Sequence, residues 1–198
     1  MKFMSYMKKL LILVAACAAL FSCSQKSEVV LLDAAAFEGE VDGKPVALYT
    51  LQEGDLTMQV TNFGARVVTL WTPDKTGNQE DIVPGYNNLD NYVNNPGERF
   101  LGAVVGPYAN RIANGTYTIG KETYNFPQNN NGQTLHGGLK GLDMVVWDVE
   151  NVNDSTLVLS YLHAYGQEGM PGNLKIFMTY SLTSDNEFKV DYNAQTDK

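Results

Sequence analysis

The sequence predicts an all-β, or mainly β, fold. Three observations carry that prediction. From Val46 onward short apolar runs alternate with polar residues, the period-2 pattern of strands with one buried face. Beyond the N-terminal segment no dozen-residue window keeps apolar positions at helical spacing free of Gly, Pro or Asn clusters, which argues against long amphipathic helices. Asn and Gly crowd the middle of the chain, from about Pro73 to Gly141, as expected of long polar connections on a β scaffold. At 198 residues, with 44% hydrophobic and 18% charged residues, one domain with a packed core is the default.

The first element in chain order is a leader. Lys2, Lys8 and Lys9 precede an apolar run from Leu10 to Phe21, and the composition turns polar at Ser22. That is the form of a secretory signal peptide over residues 1–22. The run is shorter than the roughly 20 residues a membrane-spanning helix needs. Both cysteines lie at its end, and Cys23 after LFS is placed like the acylated cysteine of a bacterial lipoprotein. Cys23 is preferred to Cys17 because cutting at Cys17 would leave the apolar AALFS exposed; the plainer alternative is a cleaved leader without lipid. The expected location is therefore outside the cytoplasm, anchored to a membrane through the lipid and periplasmic or on the cell surface. Removing residues 1–22 moves the net charge from −8 to −11. At most one cysteine then remains, so no intramolecular disulfide is expected.

Residues 23–36 read as a tether, and 37–198 as the folded domain. Strands are expected at 46–51, 56–60, 66–71, 156–162, 174–182 and 187–193. In the last of these Phe188, Val190 and Tyr192 share one face and Glu187, Lys189 and Asp191 the other, the pattern of a strand with one wet side.

Several chemistries are excluded by what the sequence lacks. There is no G-x-S-x-G elbow, no phosphate-cradling GxxxxGKS loop and no CxxC. The two histidines, His136 and His163, are too few for an ordinary zinc site, so no metal is expected. An acidic chain whose basic residues form no run beyond the first nine positions has no phosphate-backbone footprint, which excludes nucleic acid as a partner.

Three stretches stand above this background. GPYANRIANGTY (106–117) sets the Asn110 amide beside the planar five-donor fork of Arg111. QTLHGGLKGLD (133–143) follows His136 with two glycines that let backbone approach a ligand. GQEGMPGNL (166–174) is a turn leading into a strand. Singly, each has a plain explanation: Arg111 an ion-pair partner, Asn110 a turn residue, His136 a loop histidine satisfied by a carbonyl. His163, at a strand end without a glycine loop, reads as structural or solvated.

Together and in this order, after NFGARVVTLWTPDKTG (62–77), these stretches resemble the aldose 1-epimerase (galactose mutarotase) family over about Phe37 to Lys198. The resemblance implies an antiparallel β-supersandwich with no metal or nucleotide cofactor. It implies interconversion of the α and β anomers of free hexoses such as glucose or galactose. A base takes the C1 hydroxyl proton while an acid protonates the ring oxygen, the ring opens, and reclosure follows rotation about C1–C2. On this resemblance Asn110 and Arg111 bind the sugar, and His136 contacts its hydroxyls and reacting end, as both a binding and a catalytic residue.

One departure stands out. The family's proton-donor histidine, in a motif of the form NxTNHxYFN, and its distal base glutamate are absent from this sequence. His163, Glu168 and Glu187 do not occupy matching positions. The expectation is an N-terminal, C-terminally truncated portion of such an enzyme that carries the sugar-binding half of the site and is inactive alone. The alternative is a non-catalytic sugar-binding surface lipoprotein or an inactive fragment.

Overall fold

The computed structural model describes residues 27–95 and 97–198. The leader at 1–22, and Cys17 and Cys23, lie outside these residues. Among those described, no helix is long and apolar enough to cross a membrane.

Two four-stranded antiparallel meanders organise the molecule. A small hairpin, β1 (Gly39–Val41) with β2 (Lys44–Val46), leads into the first meander. That meander runs β3 (Leu48–Glu53), β4 (Leu56–Thr61), β5 (Arg66–Pro73) and β6 (Gln79–Asp81) in sequence order. The second runs β11 (Asp148–Val152), β12 (Thr156–His163), β13 (Leu174–Leu182) and β14 (Phe188–Thr196). Between them lie a short helix, α1 (Leu89–Asn94), capped by the Asn88 side chain, and the hairpin β8 (Thr116–Ile119) with β9 (Glu122–Asn125). The same region holds a two-residue pairing of β7 (Arg111–Ile112) with β10 (Thr134–Leu135). The architecture is thus mainly β and antiparallel, as the sequence predicts.

Period-2 alternation explains how the sheets meet. On β4, Leu56, Met58 and Val60 enter the main core, while Thr57, Gln59 and Thr61 are buried on the opposite face. A bulge between β4 and β5 inserts Val68, which joins a second cluster with Phe37, Phe63, Leu89 and Tyr92. Val67 and Leu70 stay in the main core. The second sheet contributes Leu157, Leu159, Ile176, Met178, Tyr180 and Leu182, with Trp147 fully buried among them. Burying each such side chain contributes about 1.5–3 kcal/mol.

Polar bonds fix the sheets to each other. The Asn62 side chain accepts from Ala47 N–H (2.9 Å) and donates to Pro45 O (3.1 Å) and Trp147 O (3.2 Å). Trp147 N–H donates back to Asn62 O at 2.9 Å. The Tyr180 hydroxyl donates to Ala65 O at 2.8 Å, crossing from β13 to the start of β5.

The described part of the 23–36 stretch lies against the first sheet. Ser27 Oγ donates to Gln79 O (2.8 Å), and Leu32 exchanges two bonds with the buried Gln59 amide, at 2.9 and 3.1 Å. A short 3-10 helix, Ala34–Phe37, then buries Phe37 completely.

The half-wet pattern expected for β14 holds at Phe188 and Val190, which pack against the main core. It ends at Tyr192, 61% exposed. Past that point β14 pairs only with β13 and is exposed to its end.

Candidate functional site

Asn110, Arg111 and His136 come together because β7 pairs with β10, opposing Arg111 to Leu135 and leaving Asn110 beside His136. Two reciprocal bonds join these neighbours. His136 N–H donates to Asn110 O, and Asn110 N–H donates to His136 Nδ1, both at 2.9 Å. Both residues hold left-handed backbone, with φ of 63° and 51°, a conformation that costs non-glycine residues energy and gathers at functional sites.

The bond to Nδ1 determines what the imidazole can do. A backbone N–H can only donate, so Nδ1 is the accepting nitrogen and the ring proton of the neutral form sits on Nε2. Arg111 is arranged in parallel fashion. Its Nε donates to Asn130 Oδ1 (3.2 Å) and its Nη1 to Asn110 Oδ1 (3.1 Å), while Nη2 makes no bond among the described residues and the residue is exposed. Asn110 thereby orients both neighbours, its backbone holding His136 and its side chain holding Arg111. The cluster presents oriented N–H donors to an incoming oxygen.

Close backbone approach requires the first glycine after His136, and left-handed backbone favours both. At Gly137 (φ 91°) a Cβ would lie 1.7 Å from Gly106 O, and at Gly138 (φ 100°) it would lie 2.3 Å from Glu168 Oε2. The loop is held from several sides. Asn129 donates to Leu135 O (3.0 Å) and Gly138 O (2.7 Å) and accepts from Leu135 N–H (2.6 Å). Glu168 Oε2 accepts from Leu139 N–H at 2.8 Å. The third sequence stretch therefore meets the second through its glutamate, which acts as a backbone acceptor. Phe100 sets its ring against His136, centroids 4.7 Å apart and planes at 68°.

Behind the loop lies a buried ion cluster. Asp143, with no exposed surface, receives Arg99 in bidentate fashion at 2.6 and 3.0 Å. Arg66, equally buried, donates to Arg99 O, Leu101 O and Asp143 O at 2.8, 3.0 and 2.9 Å. Burial lowers the Arg66 guanidinium from its ordinary pKa, and the Asp143 carboxylate opposes that shift. Arg99, Phe100, Asn129 and Asp143 lie outside the candidate site residues that the sequence singles out. An acid inside the apolar LDMVVW stretch was the available signal.

His163 is 1% exposed on β12, with its Nε2 unpartnered, and it makes no bond to the cluster. Burial pushes its pKa down. Glu187 is exposed in the β13–β14 turn. Among the described residues no group of three His, Cys, Asp or Glu side chains is placed to hold a metal ion.

Two cavities flank this region. One, of about 550 Å³, is lined by Arg111 with Tyr108, Ile112 and Tyr117. The other, of about 360 Å³, is bordered by the ion pair Lys140–Asp42 (2.7 Å), by Lys44 and by Glu168.

Comparison with known proteins gives a consistent result. The family model described as aldose 1-epimerase matches residues 47–198. A galactose mutarotase from Bos taurus is 36% identical over 150 residues, covering 76% of this chain and 43% of the relative. An aldose 1-epimerase from Escherichia coli K12 is 34% identical over 158 residues, 79% and 45% of the two chains. Among solved structures, an aldose epimerase homologue from C. elegans superposes with a TM-score of 0.72 at 30% identity, covering 77% of this chain and 46% of the other. A galactose 1-epimerase from Lactobacillus acidophilus gives 0.69 at 28% identity, covering 81% and 47%. The chain spans less than half the length of each of these relatives.

Proposed function

Because this chain belongs to the aldose 1-epimerase family, we propose that its Asn110–Arg111–His136 cluster binds a free hexose and serves the interconversion of α and β anomers. The observation that carries the reading is the bond from Asn110 N–H to His136 Nδ1. It leaves Nε2–H as a donor toward the sugar. As the ring opens, negative charge develops on an oxygen at the reacting end, and a preoriented N–H stabilises that charge more than it does the neutral ground state. Arg111, whose Nη2 makes no bond among the described residues, supplies further donors suited to hydroxyl oxygens.

Proton transfer needs a partner that His136 alone does not supply. Among the described residues neither His163 nor Glu187 reaches the cluster, and Glu168 is occupied by Leu139 N–H. The acid and base that the family resemblance implies have no counterpart in this sequence. On this reading the 198 residues supply the sugar-binding half of the site, and the non-catalytic binder is the second reading.

Polarimetry separates the two. Under the enzyme reading, an intact enzyme that includes these residues together with the acid and base accelerates the decay of optical rotation of fresh α-D-galactose, and His136→Ala abolishes the acceleration. Under the binding reading, titration calorimetry gives saturable galactose affinity, lost in Arg111→Ala, with no acceleration. A chain that neither binds nor accelerates would refute both.

Export and anchoring complete the proposal. The leader at 1–22 directs the chain out of the cytoplasm, and Cys23 carries the lipid. Incorporation of labelled fatty acid, lost in Cys23→Ala and retained in Cys17→Ala, is the expected result.

A further inference from the structure

We propose that Phe100 is a positioning residue for His136, held in place by the buried Arg66–Asp143–Arg99 cluster so that the imidazole keeps a single tautomer. The proposal rests on reading His136 as the sugar-facing imidazole, but its test observes the ring directly.

A neutral imidazole has two tautomers and can turn its plane about the Cβ–Cγ bond. The bond from Asn110 N–H selects Nδ1 as acceptor only while the ring faces that N–H. Phe100 is the aromatic ring packed against His136, edge to face at 4.7 Å. Its own placement is strongly determined. The carbonyls on either side of it, Arg99 O and Leu101 O, both accept from the same Arg66 nitrogen, Nη1. The Arg99 side chain is fixed by its bidentate bond to Asp143, and Asp143 O accepts from Arg66 Nη2. Arg99 also reaches Gly138 O at 3.4 Å, on the loop that carries His136.

Energetics favour a geometric role for this cluster. Two guanidinium groups and one carboxylate lose much of their hydration here, and such groups on average return little net stability compared with apolar residues of the same size. Arg66 stands on a core strand where an apolar side chain would cost less to bury. What the charges accomplish is to fix three consecutive residues, 99–101, relative to the loop after β10.

The test uses the 198-residue chain labelled with ¹⁵N at histidine. Long-range proton–nitrogen spectra at pH 8, where an ordinary histidine is neutral, report which ring nitrogen bears hydrogen. With only two histidines, His136→Gln assigns the signals. His136 is expected as a pure Nε2–H tautomer. Phe100→Ala should give a mixture, its two nitrogen shifts converging, and Phe100→Leu should fall between that variant and the parent. Arg99→Gln, at a partly exposed position, should shift the same way while circular dichroism and the His163 signals stay unchanged. Mixed tautomers in the parent, or a pure Nε2–H ring in folded Phe100→Ala, would overturn the proposal. Failure to bind galactose with the tautomer pattern intact would instead count against the functional reading.

Discussion

His136 and His163 are the same side chain in opposite circumstances. The first has one ring nitrogen bonded to a backbone donor and lies half-buried on a loop; the second is sealed in β12 with Nε2 lacking a partner. Burial pushes the His163 pKa down, so the folded state prefers it neutral. Unfolded, it takes up a proton near its ordinary value of about 6.5. Between that value and the lower folded one the unfolded chain binds the extra proton, so stability is full above about pH 7.5 and falls as pH decreases, by up to about 1.4 kcal/mol per unit. Denaturant unfolding between pH 5.5 and 7.5 should show this slope, and His163→Gln should flatten it. At this scale the sequence was informative about Asn110, Arg111 and His136, which sit among turn-forming residues whose chemistry is local. Asp143 and Arg99 were not legible, because their pairing spans 44 residues of chain and no local pattern encodes it.

Elements differ in legibility for the same reason. Alternation alone predicts β13 over its full span, 174–182, and β4, β5 and β12 within two residues at their ends. β7 and β10 have two residues each, too few for any period, and exist because distant partners meet. Two predictions belong here. Tyr180→Phe removes the bond that joins β13 to β5 and leaves Ala65 O unpaired in the core, which should cost about 1–3 kcal/mol in chemical denaturation. Gly137→Ala places a methyl against Gly106 O at a left-handed position. It should displace the β10 loop, cost about 1–3 kcal/mol and abolish galactose binding by calorimetry.

For the molecule as a whole, β14 is the exposed feature. It is nine residues long, pairs on one side only, and carries Tyr192 with most of its surface in water. A long edge of this kind templates association with other strands. Residues 24–198 produced alone should therefore self-associate as their concentration rises, and Tyr192→Lys should reduce light scattering at a fixed concentration. A chain that stays monomeric at every concentration would contradict this. The sheet class was legible because periodicity reports the buried face of each strand; the exposure of Tyr192 was not, because the same alternation occurs whether or not a second layer covers that face. The bonds from Leu32 to Gln59 and from Ser27 to Gln79 carry a consequence for how this molecule would stand on a bilayer. With Cys23 acylated as proposed, only nine residues connect the lipid to Leu32, and four connect it to Ser27. At about 3.5 Å per extended residue, the standoff is at most about 30 Å, and about 14 Å while Ser27 stays bonded. The domain would then be held with β6 within that distance of the headgroups, on a leash too short to let it roam.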